Sequence, residues 1–355
     1  MKIFETIASH GHERVTFHHD EATGLRAIVA IHSTVLGNAL GGTRRWAYTG
    51  EEEAVRDVLR LSEGMTWKAA AADLPMGGAK SVILARPGVA PTEAEARAMG
   101  RFVDTFGGTY IAAEDVGVTP QFVDWMARET DHVMGGDSVS HGGDPSPFTA
   151  QGCFNGMKAC LEQLGKPVDF AGLTVAVQGV GATGFRLAKL CRDAGATVIV
   201  SDTNAANLQR AVKDLGCTAH QGDILSAKCD ILAPCALGAV LDDCTIPALQ
   251  CQVICGTANN QLADPIADGA RLKQAGVVYG PDFVVNAAGL IRLAGLYLGM
   301  TEDQINRKIA DIEATTLTVL RDACNLPSAH EAAVAYAKRR IEQGRTNRPR
   351  LATAR

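Results

Sequence analysis

Apolar residues recur at Ala54, Val58, Leu61, Met65 and Ala72, and Lys68 keeps step with them. The spacings of 4, 3, 4, 3 and 4 residues describe one face of a helix. The stretch 51–72, "EEEAVRDVLRLSEGMTWKAAAA", therefore predicts a helix, and its opening acids suit the helix dipole. The same register turns Lys68 inward. A buried ammonium needs an anion or gives up its proton. The alternative is that Lys68 snorkels along its stem to water. A second lysine, Lys80, follows "PMGG" and precedes the strand-like run "SVILA". Another strand-like run, "TYIAA", ends at Glu114 and Asp115, just before a helix start at Thr119-Pro120. Those carboxylates are candidate N-caps or candidate partners for an inward lysine.

From Leu173 the pattern changes to short β-branched runs separated by helical stretches. "LTVAV" is followed directly by Gly179, Gly181 and Gly184 in the pattern G-x-G-x-x-G, then by a helix carrying Phe185, Leu187, Leu190 and Cys191. The next strand, "TVIVSD", ends on Asp202, 18 residues past the last glycine. A lone G-x-G-x-x-G carries little information. Between a strand and a helix, with an acid at this distance, it is the dinucleotide-binding fingerprint. The loop Gly179, Val180, Gly181, Ala182, Thr183 and Gly184 lets backbone approach a pyrophosphate at a helix N-terminus. Asp202 is placed to bond ribose hydroxyls and to repel a 2′-phosphate, which favours NAD over NADP. "CDILAP", "CQVICG" and "GVVYG" continue the alternation and predict a doubly wound parallel sheet. Asn259, Asn260 and Asn286 fall in the turns where ligands of such sheets bind. Two long helices follow, opening with the capping boxes Thr301-x-x-Gln304 and Ser328-x-x-Glu331, and are expected to cross back to the first domain.

The 355 residues suit about two domains. The stretch "GGDSVSHGGDPSPFTAQG" (135–152) reads as their hinge. The expected division is 1–140, with a C-terminal helix at about 326–355, and 141–325. The net charge of −5 is spread without blocks, so no nucleic-acid surface is indicated. No apolar run of about 18 residues suggests a membrane span. The opening "MKIFETIASHGHERV" lacks the apolar core of a signal peptide, which predicts a cytoplasmic protein. None of the ten cysteines forms a C-x-x-C or a zinc-ligand spacing, so no metal site is expected.

The motifs "ALGGTR" (39–44), "MTWKAAAA" (65–72), "GGAKSVI" (77–83), "AAEDVGVT" (112–119), "DPSPFTA" (144–150), "VAVQGVGATG" (175–184), "ILAPCALG" (231–238), "ANNQL" (258–262) and "PDFVVNAAGLI" (281–291) occur in that order. Together they closely resemble the leucine, valine and phenylalanine dehydrogenases of the glutamate dehydrogenase superfamily, the branched-chain enzymes most. The resemblance implies an N-terminal α/β substrate and oligomerisation domain and a Rossmann-type NAD-binding domain, separated by a cleft. It also implies a homo-oligomer, a dimer or octamer. The implied reaction is oxidative deamination of an apolar L-amino acid to a 2-oxo acid, ammonium and NADH. By resemblance Lys68 binds the substrate carboxylate, Lys80 is the general base on water, and Asp115 handles protons on the amine. Asn260 and Asn286 place substrate and nicotinamide, with the Thr149 hydroxyl near the carboxamide. Leu40, Gly41, Ala113, Leu290 and Leu293 match the side-chain pocket, whose apolar character argues against glutamate. Ala113 resembles the branched-chain enzymes, and phenylalanine is the alternative substrate. "GGAK" and "NAAG" each carry one methyl more than the commoner family pattern and are expected to trim the pocket. A non-catalytic NAD-binding sensor on this scaffold, or a dehydrogenase of shikimate-like hydroxy acids, would fit the glycine motif but does not require Lys68, Lys80 and Asp115.

Overall fold

The computed structural model describes residues 2–138, 143–236 and 238–347. Part of the expected hinge (139–142) and the end of the expected C-terminal helix segment (348–355) lie outside them. Two compact units emerge: Met1–Gly143 with Leu296–Gly299 and Ala337–Arg355, and Asp144–Gly295 with Met300–Tyr336. The sequence-based boundaries stood at 140/141 and 325/326.

In the first unit the order is α1 (Ile3–His10), β1 (Arg14–Asp20), β2 (Leu25–Ser33), β3 (Ala39–Trp46), α2 (Glu51–Ala71), β4 (Gly77–Leu84), α3 (Glu93–Asp104), β5 (Tyr110–Glu114) and α4 (Pro120–Met126). The strands form one mixed sheet in the order β1-β2-β4-β3-β5. β1 and β2 run antiparallel, as do β2 and β4; β3 runs parallel to β4 and β5. Strand β2 is an almost unbroken apolar run because helices cover both of its faces. Leu25, Ala27, Val29 and Ile31 face Met99, Phe102, Phe122 and Met126, whereas Ile28 and Ala30 face Val55, Val58 and Leu59 of α2. Thr119 caps α4 by accepting from Phe122 N, with Pro120 in the first turn.

The face of α2 that is buried lies one residue beyond the expected stripe. Ala54 and Val58 are buried as expected, but they are joined by Val55, Leu59, Ser62, Thr66, Ala69 and Ala70. Leu61, Met65 and Lys68 are only half-buried, so Lys68 flanks the buried face. The reason is chemical. Ser62 and Thr66 count as polar in a hydrophobic pattern, but their hydroxyls are bonded inside the protein. Ser62 Oγ lies 2.9 Å from His12 Nε2, and Thr66 Oγ1 lies 2.8 Å from His32 Nδ1. The His12 and His32 rings meet edge to face at 4.8 Å.

These histidines are buried as neutral rings. Carbonyl acceptors at Leu59 and His10 require the proton on each Nε2. Burial, then the neighbouring His32, lowers His12 to about 4, and burial lowers His32 as well. The unfolded chain therefore takes up a proton at His12 as pH falls below ~6.5, while the native state does so only near 4. Stability is expected to fall across that window, by up to ~1.4 kcal/mol per pH unit for each such proton. Urea unfolding midpoints measured between pH 7 and pH 4 should show the slope, and His12→Gln should flatten it. A variant with the wild-type slope would show that His12 does not carry it.

In the second unit the order is α5 (Ser146–Gln163), β6 (Thr174–Gln178), α6 (Ala182–Asp193), β7 (Thr197–Ser201), α7 (Ala205–Leu215), β8 (Thr218–Ala219), β9 (Ile231–Pro234), β10 (Val253–Ile254), α8 (Ala267–Gln274), β11 (Val278–Tyr279), α9 (Asp282–Val285), α10 (Ala288–Tyr297), α11 (Glu302–Asp322) and α12 (Ala329–Asn347). The sheet is wholly parallel, in the order β11-β10-β9-β6-β7-β8. This is the doubly wound order, with its switch point between β6 and β9. Val175, Val177, Val198, Ile231 and Val253 pack on one face against α5 and α6, and Ala176, Leu232 and Ile254 pack on the other. The short β8 gave no strand signal in the sequence.

The late helices carry one reciprocal capping box and one side-chain N-cap. Thr301 and Gln304 make a reciprocal capping box at α11, and Ser328 Oγ accepts from Glu331 N at α12. Helix α11 does not return to the first unit. It packs on α5, where Asn155 Nδ2 donates to Ile309 O at 3.1 Å and Ile312 covers Gly152. Of these two late helices it is α12 that extends into the first unit, from Ala337 onward. No described helix is long and apolar enough to cross a membrane.

Candidate active site

Lys80 lies within β4, not ahead of it, and is 6 % exposed. Strand alternation puts it on the face that also carries Gly78 and Val82, toward α2. The glycines before it permit that approach. A Cβ on Gly78 would stand 2.1 Å from Thr66 N of α2, and one on Gly77 would stand 2.0 Å from Ser33 O. Lys80 Nζ donates to Asp115 Oδ2 at 2.9 Å. Asp115 follows β5 and reaches in over Gly42, where a Cβ would lie 2.9 Å from the Asp115 Cβ.

The same carboxylate oxygen accepts from Arg44 Nε at 3.0 Å. Arg44 Nη1 donates in turn to Asp57 Oδ2 at 2.9 Å, which also accepts from the Tyr48 hydroxyl at 2.8 Å. Burial alone would raise the Asp115 carboxyl. The charges of Lys80 and Arg44, with hydrogen bonds from Lys80 and Val116, outweigh it and hold the group below the usual carboxylate range. Burial and the bond to Asp57 push the Tyr48 hydroxyl up.

The Lys80–Asp115 pairing was legible as a possibility in the sequence, whereas the part played by Arg44 and Asp57 was not drawn from it. The available signal was Arg44 itself, an arginine in register with Val82 on the strand beside Lys80. Leu40 and Ala113 stand on the same face of the sheet and are buried. Gly41 is different: a Cβ there would meet the Ala79 carbonyl oxygen at 1.7 Å, so this residue serves the close approach of β3 and β4. The Ala79 methyl is buried in the core beside α3 and α4, on the face opposite Lys80. Its extra carbon does not trim the space at Lys80, contrary to the expectation from "GGAK".

The second unit holds the other expected residues. Gly179 has φ +86°, a conformation that favours glycine. A Cβ on Gly184 would stand 1.9 Å from Gly179 O, so the helix packs tightly on the loop. At Gly181, the N-cap of α6, a Cβ would meet nothing within 4 Å. The loop thus closes around an open space before the first turn of α6, which fits a cofactor pyrophosphate. Val180 is buried, its N–H donating to Asp202 Oδ2 at 2.8 Å; Ala182 is exposed and Thr183 half-buried. Asp202 Oδ1 accepts from Asn204 N at 2.7 Å, so both carboxylate oxygens are oriented by backbone.

Asn286 Nδ2 donates to Thr257 O at 3.2 Å and to Asn259 Oδ1 at 2.8 Å, while its buried Oδ1 has no partner among the described residues. An orphaned acceptor of this kind fits an amide donor from a ligand. Asn260 is exposed with φ +51°. Thr149 Oγ1 donates to Pro145 O at 3.1 Å and abuts Gly289. Leu290 and Leu293 are half-buried on α10. The Ala288 methyl packs against Gly152 of α5, so "NAAG" also adds its carbon to a helix contact rather than to a pocket.

Residues 12–132 match the family described as Glu/Leu/Phe/Val dehydrogenase, dimerisation domain, and residues 144–296 match Glutamate/Leucine/Phenylalanine/Valine dehydrogenase. The chain belongs to the Glu/Leu/Phe/Val dehydrogenase family. It is 43 % identical to the leucine dehydrogenase of Thermoactinomyces intermedius over 98 % of this chain and 96 % of that one. It is 41 % identical to an L-tryptophan dehydrogenase of Nostoc punctiforme (strain ATCC 29133 / PCC 73102) over 90 % of both chains. A crystal structure of L-tryptophan dehydrogenase from Nostoc punctiforme superposes with a TM-score of 0.85, at 37 % identity, covering 97 % of this chain and 99 % of that one. The chain is accordingly an enzyme, an amino-acid dehydrogenase acting by oxidative deamination with a nicotinamide cofactor. For a member of this family, the glycine loop, the orphaned Asn286 oxygen and the buried Lys80–Asp115 pair are the features that call for ligands.

Proposed function

We propose that the enzyme catalyses reversible, NAD-dependent oxidative deamination of branched-chain L-amino acids, leucine foremost, to 2-oxo acid, ammonium and NADH. The observation that carries this reading is the ion pair Lys80–Asp115 at a sheet face that also presents the buried apolar side chains of Leu40 and Ala113. Lys68, half-buried at the last turn of α2, holds the substrate carboxylate. When bound, the cofactor accepts the hydride from the substrate α-carbon. Lys80 takes a proton from water as it attacks the resulting imine carbon. Asp115 shuttles protons on the substrate nitrogen so that it leaves as ammonia. By resemblance to the family, Asn260, Thr149 and Asn286 are assigned to the nicotinamide and substrate, and Leu40, Ala113, Leu290 and Leu293 to the apolar side chain. The loop Gly179–Gly184 holds the pyrophosphate.

NAD specificity rests on Asp202, whose charge beside the glycine loop disfavours a 2′-phosphate. NADPH should support a kcat/KM at least about tenfold below that of NADH, a difference of ~1.4 kcal/mol or more. Equal efficiency with both would overturn this role of Asp202. The deciding experiment is NADH oxidation with ammonium and a panel of 2-oxo acids. 4-Methyl-2-oxopentanoate and 3-methyl-2-oxobutanoate should be the best substrates, and activity without ammonium would exclude the reaction. The resemblance to an L-tryptophan dehydrogenase makes phenylpyruvate and indolepyruvate the informative competitors. Such pockets shift easily, because one methylene changes selectivity by only ~1–3 kcal/mol.

A homo-oligomer belongs to the same proposal. Strand β1 is a sheet edge with Phe17 53 % exposed, and α1 leaves Phe4 87 % exposed, surfaces suited to a second copy. A cytoplasmic location agrees with ten free cysteines.

A further inference from the structure

Lys80 and Arg44 address one and the same oxygen of Asp115, Oδ2, at 2.9 and 3.0 Å. Two cations on a single oxygen set the plane of a carboxylate more firmly than one. Arg44 is itself held from behind: Asp57 accepts its Nη1 at 2.9 Å, Tyr48 donates to that Asp57 oxygen, and Arg60 donates to the other at 3.2 Å. The guanidinium thus bridges two carboxylates, one on α2 and one after β5, through two different nitrogens. An ammonium has no rigid fork to span them in that geometry. Charges alternate along the line Lys80, Asp115, Arg44, Asp57, so each member is compensated by its neighbours.

We propose that Arg44, clamped by Asp57 and Tyr48, is a positioning residue that keeps Asp115 ionised and turned toward Lys80. The inference rests on the reading of Asp115 as the proton carrier. The groups that bear on Asp115 are Lys80 from β4, Arg44 from β3, Asp57 beyond it on α2, and the neighbouring Glu114, whose Oε1 is occupied by Gly136 N. Tyr48 and Tyr110 lie within its field; the Tyr110 hydroxyl is bonded to Gly41 O and Ser81 Oγ. Of the cations in direct contact with Asp115, Arg44 is the one assigned no reacting proton. Its loss would let the carboxylate bind a proton at higher pH and rotate away from Lys80.

Arg44 also borders a cavity of about 320 Å³, lined in addition by Tyr48, Asp57 and Arg60, through which a small cation can reach the vacated place. The test is kcat/KM and kcat against pH for L-leucine in the full-length wild type, Arg44→Ala, Arg44→Lys and Asp115→Asn. Arg44→Ala should lose roughly 10–100-fold in kcat with little change in KM. Its acid limb should move up by about one pH unit, and added methylguanidinium should partly restore both. Arg44→Lys should keep the limb in place and lose kcat several-fold. A folded Arg44→Ala enzyme with kcat within about twofold of wild type and an unmoved limb would overturn the proposal. If Arg44→Ala does not fold, Arg44→Lys decides: wild-type kcat overturns the proposal, and a kcat loss at unchanged KM supports it. An active Asp115→Asn enzyme would instead sink the role of Asp115, whereas an inactive one beside an unaffected Arg44→Ala would sink only that of Arg44.

Discussion

Replacing Lys80 by alanine should lower kcat by ~10²–10⁴-fold, the usual contribution of a positioned general base. The structure explains why so much rests on one side chain. Lys80 is 6 % exposed, sits on a rigid central strand and donates to Asp115 at 2.9 Å. Water has little room to replace it, and Asp115 would be left with Arg44 as its remaining direct cation. KM for the amino acid should change far less, by under about tenfold, because the substrate carboxylate is assigned to Lys68. Lys68→Ala should show the converse, a raised KM with the smaller change in kcat. Steady-state kinetics at the pH optimum of each variant separates the two, and circular dichroism confirms that each is folded. Lys80→Met, which keeps the length of the stem, guards against a cavity effect. A Lys80→Ala enzyme with wild-type kcat would remove Lys80 from the chemistry.

Gly181→Ala should leave the protein folded and weaken NADH binding by about tenfold or more, whereas Gly184→Ala should destabilise the fold itself. The two glycines belong to one motif but face different surroundings. At Gly181 a methyl group meets nothing within 4 Å among the described residues, so it would occupy the space that the proposed binding mode gives to the pyrophosphate. At Gly184 it meets Gly179 O at 1.9 Å and the Cys235 Cβ at 3.0 Å. That collision has to be relieved by moving α6 off the loop. Thermal unfolding without cofactor and fluorescence titration with NADH report the two effects independently. An unchanged NADH affinity in Gly181→Ala would show that the pyrophosphate binds elsewhere.

Pattern and motif spacing alone determined the parallel sheet of the second unit, its glycine loop and the acid after β7. The loop and the acid are local, a strand, a turn and a helix following one another within about 30 residues, and the sheet is read from the repetition of such units. The existence of α2, the capping box at Thr301 and the N-cap at Ser328 were legible for the same reason. The register of α2 was not. Ser62 and Thr66 face inward because His12 and His32, from remote segments, supply their hydrogen bonds, and this moves Lys68 to the flank. Where the extra methyl groups of Ala79 and Ala288 lie also depended on packing, since neither position states which face it will occupy.

The charge line through Asp115 is the clearest product of tertiary structure. Arg44, Asp57, Lys80 and Asp115 come from β3, α2, β4 and the turn after β5, up to 71 residues apart along the chain. In the sequence Lys80 and Asp115 stand out by their motifs, whereas Arg44 and Asp57 are ordinary charged residues with an ordinary surface explanation. Only parallel pairing of β3 with both β4 and β5, with α2 laid across glycines, brings them within hydrogen-bonding distance. Periodicity records which way a residue faces along its own element, whereas the partner of a buried charge is chosen by elements distant in sequence, because an uncompensated charge cannot remain there.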